Sequence, residues 1–236
     1  MKKRILVVAP HADDETLGMG GTIAKYIAEG HKVTVAVMTG HGKEKHPIWD
    51  QSSWVVVRAE AKEAMAILGV NDLLFSEIPA ALVSYVSPVE LNHEALEIIK
   101  KTEPDEVYIP FSWDLHKDHR DISYAFYVAC RPHWELGRKV KNIYMYETVS
   151  ETHWNYPSNI EPGFIPNTWV DITGYLEKKR DALSCYKSQI RPFPDARSIE
   201  ALDALAKWRG SQMGMRAAES FVLVRSLQSH NIHDCQ

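Results

Sequence analysis

Two short stretches of this chain concentrate histidine with carboxylates: Pro10-His11-Ala12-Asp13-Asp14-Glu15, and Trp113-Asp114-Leu115-His116-Lys117-Asp118-His119. One acid ahead of a helix is explained by the helix itself, whose free N–H groups and positive end favour a carboxylate. Three adjacent acids beside a histidine are not. Their mutual repulsion requires a compensating cation, either a metal ion or a basic side chain. Taken alone, the second stretch reads as a solvated charged loop. Two imidazoles and one carboxylate together suit zinc with a vacant coordination position, the hydrolytic arrangement. The same ligand set holds non-haem ferrous iron for oxygen chemistry. The spare carboxylate separates the two, because a hydrolase needs a general base beside the attacking water and a paired aspartate supplies one.

The surrounding elements explain why these stretches meet. Ile5–Ala9 is short, branched and apolar throughout, the pattern of a strand buried on both faces. A helix is expected from about Thr16 to Gly30, a strand at Val33–Met38, and a helix through Ala61, Met65 and Leu68 that stops at Gly69. A third strand is expected at Leu73–Phe75. Ser87-Pro88-Val89-Glu90 has capping-box spacing with proline at the first helical position, ahead of an apolar stripe through Leu91, Ala95, Ile98 and Ile99. Val107–Ile109 and Ile143–Tyr146 read as strands four and five, with a helix at Ile122–Ala129 between them. This alternation predicts an α/β fold, a mostly parallel sheet with helices on both faces in one domain spanning 1–228. Both His/Asp stretches then fall at carboxyl ends of strands, where doubly wound sheets bind ligands.

Beyond Glu147 the pattern loosens. Residues 148–167 read as a loop, 169–171 as a short strand, 176–186 and 199–208 as helices, and 221–224 as a last strand. The tail 229–236, with His230, His233 and Cys235, reads as a flexible end. The sequence 18-GMGG-21 lacks the last glycine of a dinucleotide fingerprint, since Ile23 stands there. Gly20 and Gly21 are instead expected to let the first helix approach its neighbours closely.

With 236 residues, 45% hydrophobic and 25% charged, the chain has the composition of a soluble globular domain. A net charge of −4 gives no general attraction to nucleic acid or an anionic membrane. Three separated cysteines and no Cys-x-x-Cys pair argue against a disulfide framework and for a cytoplasmic location. No run is apolar enough to span a bilayer.

The segment 9-APHADDETLGMGGT-22 resembles the Ala-His-Pro-Asp-Asp-Glu signature of the PIG-L/LmbE-like N-deacetylases, zinc-dependent enzymes with a Rossmann-like fold. The likeness extends through 116-HKDH-119, through Arg58 with 59-AEAKEAMAILGV-70, and more weakly through Tyr146-Glu147 and 218-AESF-221. The proline stands before His11 here and after the histidine in the commoner family form, a departure that bears on substrate more than on metal. The resemblance implies His11, Asp14 and His119 as ligands of Zn2+, with Fe2+ or another divalent cation as the alternative. It implies Asp13 as general base, His116 as oxyanion stabiliser and proton donor to the leaving amine, and Asp118 as the group orienting His116 in its charged form. Arg58, Glu147, Trp113 and Arg131 are the expected substrate contacts, with structural roles as their alternative. Aromatic residues in the strand-end loops, Trp49, Trp54, Tyr85, Trp113, Trp154, Tyr156 and Phe164, suit the face of a sugar.

The implied activity is removal of an N-acyl group, acetyl above all, from a small amino sugar, glycoside or sugar nucleotide, in an enzyme that assembles as a trimer or hexamer. Three competitors share parts of the pattern: a ferrous oxygen-using enzyme, a magnesium-binding phospho-acceptor domain, and a non-catalytic metal-stabilised binding protein. The phospho-acceptor reading leaves His116 and His119 without a task. The binding-protein reading leaves Asp13 and His116 without one.

Overall fold

The structure is a computed structural model that describes residues 2–43, 45–156 and 159–228; the tail at 229–236 lies outside the described residues. In chain order the elements are β1 (Arg4–Ala9), α1 (Asp14–Ala28), β2 (Lys32–Gly40), α2 (Gln51–Leu68), β3 (Asp72–Pro79), α3 (Pro88–Thr102), β4 (Glu106–Pro110) and α4 (Lys117–Ala129). They continue as α5 (Glu135–Lys139), β5 (Asn142–Tyr146), α6 (Val149–Thr152), β6 (Thr168–Asp171), α7 (Leu176–Cys185), α8 (Ile199–Ser211) and β7 (Ala218–Ser226). The seven strands form one sheet in the order β3-β2-β1-β4-β5-β7-β6. The first five are parallel, while β7 runs antiparallel to both β5 and β6.

The central position of β1 follows from its composition. Alternate residues point to opposite faces, and here both faces are covered. Ile5, Val7 and Ala9 join a core built with α1, α2, α7 and α8, whereas Leu6 and Val8 join one built with α3 and α4. Each such side chain contributes roughly 1.5–3 kcal/mol when fully buried. Helix ends obey local chemistry: Ser87 Oγ accepts the Glu90 N–H at 3.1 Å with Pro88 in the first turn. Gly69 terminates α2 at φ 86°, a left-handed conformation that favours glycine.

Helix α1 departs from a regular helix. It begins at Asp14 rather than near Thr16 and is broken at Met19, whose φ/ψ of −149°/26° is non-helical. The break frees backbone groups, and a buried ion pair fills it. Glu219 on β7 accepts the N–H groups of Gly21 and Thr22 at 3.0 and 2.6 Å. Lys179 on α7 donates to Glu219 at 2.6 Å and to the Leu17 carbonyl at 2.9 Å. Close approach is confirmed at Gly21, where a Cβ would stand 2.8 Å from Ile172. It is tighter still at Gly18, where a Cβ would stand 2.3 Å from the Tyr146 ring.

Between 148 and 167, where the sequence suggests only a loop, the single-turn helix α6 appears. The winding along the sheet changes sense between the parallel neighbours β1 and β4, one crossover leading to β2 and the other to β5. The turn after β1 and the start of α4 meet there.

Candidate metal centre

The turn after β1 carries His11, Asp13 and Asp14, and the loop after β4 leads through Asp114 and His116 into α4 with His119. His11, Asp14 and His119 each offer a ligand atom within 4.8 Å of the others. Asp14 and His119 are fully buried. Asp14 Oδ2 stands 3.1 Å from His119 Nε2 and 3.4 Å from His11 Nδ1. The decisive detail is unsatisfied chemistry: Asp14 Oδ1 is buried without a hydrogen-bond partner, and His119 Nε2, although 3.1 Å from Asp14 Oδ2, makes no well-formed hydrogen bond. Buried polar atoms are almost always paired, so a carboxylate oxygen and an imidazole nitrogen, both able to offer a lone pair and both left without a hydrogen bond in one cluster, fit a divalent cation.

The second nitrogen of each imidazole is occupied by a carboxylate. His119 Nδ1 bonds Asp114 Oδ2 at 2.8 Å, and Asp114 Oδ1 in turn accepts the Thr152 hydroxyl at 2.6 Å. His11 Nε2 bonds Asp118 Oδ2 at 3.0 Å. Such carboxylates fix the tautomer and aim the free nitrogen at a metal, leaving His11 Nδ1 and His119 Nε2 for the ion. A second group, His11, His116 and Asp118, also lies within 4.8 Å, but its His11 nitrogen is the one engaged by Asp118.

Asp118 therefore sits differently from the sequence-based expectation. Its carboxylate is gripped by His11 and by the Ala81 N–H at 2.6 Å, and lies 3.9 Å from His116 Nδ1. His116 Nδ1 instead accepts the Asp118 backbone N–H at 3.2 Å, the cap of α4. Burial lowers the His116 pKa, and the neighbouring His11 adds to the effect, bringing it down to about 4.

The crowded charges shift one another's pKa. Burial pushes the Asp13 carboxyl up, Asp14 pushes it further, and Arg197 opposes, leaving it at about 8. Burial alone would lower His11, but hydrogen bonds with Asp118 and Asp14 outweigh it and raise it to about 9. A cation entering here must displace protons from the imidazoles. Asp13 itself is buried at φ 132°, ψ −26°, a conformation few non-glycine residues adopt. Its strain turns two consecutive carboxylates to different tasks, with Asp14 facing the imidazoles and Asp13 facing Arg197 at 3.8 Å.

A cavity of about 250 Å³ opens beside this cluster. His11, Asp13 and His116 line it together with Trp49, Trp54 and Val57, and Ala81, Gln189 and Arg197 are among its other lining residues. The structure thus brings together every expected ligand and acid–base residue, but the four expected substrate contacts do not line this cavity. Arg58 is committed to Glu77 at 2.6 Å and lies over the Phe75 ring. Glu147 is buried between Arg209, Ser220 and His153. Arg131 bonds the Val128 carbonyl beyond the far end of α4. Trp113 is exposed on one side while its carbonyl receives Asn155. Of the loop aromatics, Trp49 and Trp54 reach the cavity. Sequence reasoning missed Asp114 and Arg197; Asp114 stood within the quoted cluster, but Arg197, on the loop before α8, carried no local signal.

Residues 6–130 match the family described as PIG-L, GlcNAc-PI de-N-acetylase. A 1D-myo-inositol 2-acetamido-2-deoxy-alpha-D-glucopyranoside deacetylase of Rhodococcus jostii (strain RHA1) is 27% identical, the match covering 95% of this chain and 92% of the relative. An uncharacterized deacetylase of Escherichia coli (strain K12) is 31% identical over 79% of this chain and 92% of its own. The solved N,N'-diacetylchitobiose deacetylase from Pyrococcus horikoshii superposes with a TM-score of 0.74 at 26% identity, over 94% of this chain and 84% of that one.

Proposed function

This chain belongs to the PIG-L family, and from that membership and the geometry of the site we propose that it is a zinc-dependent hydrolase removing an N-acetyl group from a small amino sugar, glycoside or sugar nucleotide. The observation that carries the reading is the pair of orphaned atoms, Asp14 Oδ1 and His119 Nε2, beside a strained, buried and separately directed carboxylate, Asp13.

His11 Nδ1, Asp14 and His119 Nε2 would hold the ion, which when bound supplies Lewis-acid polarisation of the amide carbonyl and of the attacking water. The chain's own groups move the protons. Asp13 takes one from the water as it attacks and returns it to the departing amine nitrogen, so the carboxylate is regenerated with each turnover. His116, neutral and accepting at Nδ1, carries its proton on Nε2 and donates that hydrogen bond to the developing oxyanion. Asp118 fixes His11, and Asp114 fixes His119. Trp49 and Trp54 offer flat apolar faces to a sugar ring. Gln189 and Arg197 offer polar groups to the same cavity, whereas Arg58, Trp113, Glu147 and Arg131 do not line it.

The test is a panel of N-acetylated amino sugars, including N-acetylglucosamine, with detection of free amine before and after chelation. Release that chelator abolishes and zinc restores is expected. Asp13→Asn should keep its metal and lose roughly 10²–10⁴-fold in kcat. Activity indifferent to chelator, or an Asp13→Asn variant as fast as the parent, would overturn the reading.

A further inference from the structure

Asp13 holds a backbone conformation that its own side chain does not favour, so something outside it must hold the turn. Its N–H donates to Glu15 Oε2 at 3.2 Å. The other oxygen of that carboxylate, Oε1, accepts the Thr16 hydroxyl at 2.7 Å and the Tyr186 hydroxyl at 2.5 Å. Glu15 and Tyr186 are both fully buried, and neither lines the cavity. Thr16 belongs to the same turn as Glu15, but Tyr186 arrives from the end of α7, 171 residues along the chain. Two residues later, Ser188 is fastened to Glu60 on α2 through its N–H at 2.9 Å and its hydroxyl at 2.6 Å. The Tyr186 end of this chain of hydrogen bonds is therefore anchored to a second helix.

We propose that Glu15 and Tyr186 are positioning residues for the general base: Tyr186 fixes the Glu15 carboxylate, and the carboxylate fixes the Asp13 peptide in the strained turn that separates its side chain from that of Asp14. The proposal rests on the reading of Asp13 as the base. It touches neither substrate nor ion, and it explains why a third acid follows the paired aspartates without a ligand role. Among the described residues Glu15 has no ion-pair partner; its partners are hydroxyl and peptide donors, which suits a strut rather than a charge.

Tyr186→Phe keeps the buried ring and removes only the hydroxyl. In the zinc-loaded enzyme acting on N-acetylglucosamine, kcat should fall about tenfold while KM stays within twofold and zinc stoichiometry is unchanged, since small misplacements of a catalytic group cost rate more than binding. Glu15→Gln retains an oxygen for the Asp13 N–H but turns its NH2 toward the Thr16 and Tyr186 hydroxyls, so it should recover part, not all, of what Glu15→Ala loses. In crystals of Tyr186→Phe, Asp13 should leave its φ near 132°. A folded, zinc-loaded Tyr186→Phe enzyme with parental kcat and an unmoved Asp13 overturns the proposal. So does a kcat loss fully accounted for by lost zinc or lost fold. Parental kcat in Asp13→Asn is the separate failure, that of the base assignment itself.

Discussion

Replacing Asp114 with asparagine removes one charge from a fully buried group and leaves its shape intact. Asp114 uses both oxygens, Oδ2 toward His119 Nδ1 at 2.8 Å and Oδ1 toward Thr152 at 2.6 Å. Asparagine has a single oxygen. If it remains on His119, the amide NH2 faces a Thr152 hydroxyl that already accepts the Thr148 N–H at 2.8 Å, and the threonine proton loses its acceptor. The bond to His119 then becomes neutral. Charge-assisted hydrogen bonds contribute about 1.5–3 kcal/mol against about 1 for neutral ones, so the loss is about 0.5–2 kcal/mol, roughly two- to thirtyfold in zinc affinity.

The direction with pH also follows. Burial opposes a charged His119, but Asp14 and the Asp114 hydrogen bond outweigh it and hold its pKa well above the usual 6.5. At lower pH the ion competes with that proton, and removing the Asp114 charge eases the competition. The affinity loss should therefore be smaller near pH 6 than at pH 9. Competition against a colorimetric zinc chelator measures both. Asp121→Asn, on the exposed side of α4 beside Lys117 and Ser84, serves as the control and should bind as the parent does. Zinc binding by Asp114→Asn within twofold of the parent at pH 9 would refute the reasoning.

Gly18→Ala places a Cβ 2.3 Å from a Tyr146 ring carbon, and that ring is tethered by its hydroxyl to the Val8 carbonyl at 2.8 Å. Overpacking of this kind costs at least ~2–3 kcal/mol, roughly 5–10 °C in Tm for a chain of this size; Gly174→Ala, with no atom within 4 Å of its Cβ, should melt as the parent does. At Glu147, burial raises the carboxyl pKa, but hydrogen bonds from His153 and Arg209 outweigh it and leave it below the usual 4.5. A depressed acid stabilises the fold above its unfolded value and loses that contribution as pH falls toward the folded one. Urea titrations should show the parent about 3 kcal/mol more stable than Glu147→Gln at neutral pH, the gap closing below roughly pH 4.5; a gap constant down to pH 3 would contradict this.

The sequence made the parallel strands readable because buried apolar runs such as Ile5–Ala9 have few alternatives. It made the two His/Asp stretches stand out because crowded charge demands an explanation, and the structure brings them into one cluster. Partners that meet only through the fold stayed hidden. Thr152, which anchors Asp114, lies on a single-turn helix inside a stretch that looks like loop. Arg197 reaches Asp13 from 184 residues away with no pattern around it. The break at Met19 has no proline to announce it, and its repair by Glu219 and Lys179 depends on strands and helices far downstream. Glu147 and Arg58 show the converse. Charged residues in suggestive places turned out to be spent on neighbours, Arg209 and Glu77, that spacing along the chain does not reveal.

The meeting of β1 and β4 carries a last consequence. His11 and His119 come together only after those two strands pair, so the three-residue ligand set proposed for the ion exists only in the folded chain. On the proposed metal reading, occupancy becomes a gauge of chain closure, and an ion at a thousand times its dissociation constant would add about 4 kcal/mol to the native state, less whatever binding the unfolded chain retains. Stripping the ion should make the polypeptide more vulnerable to proteases well before any change in helix content is visible.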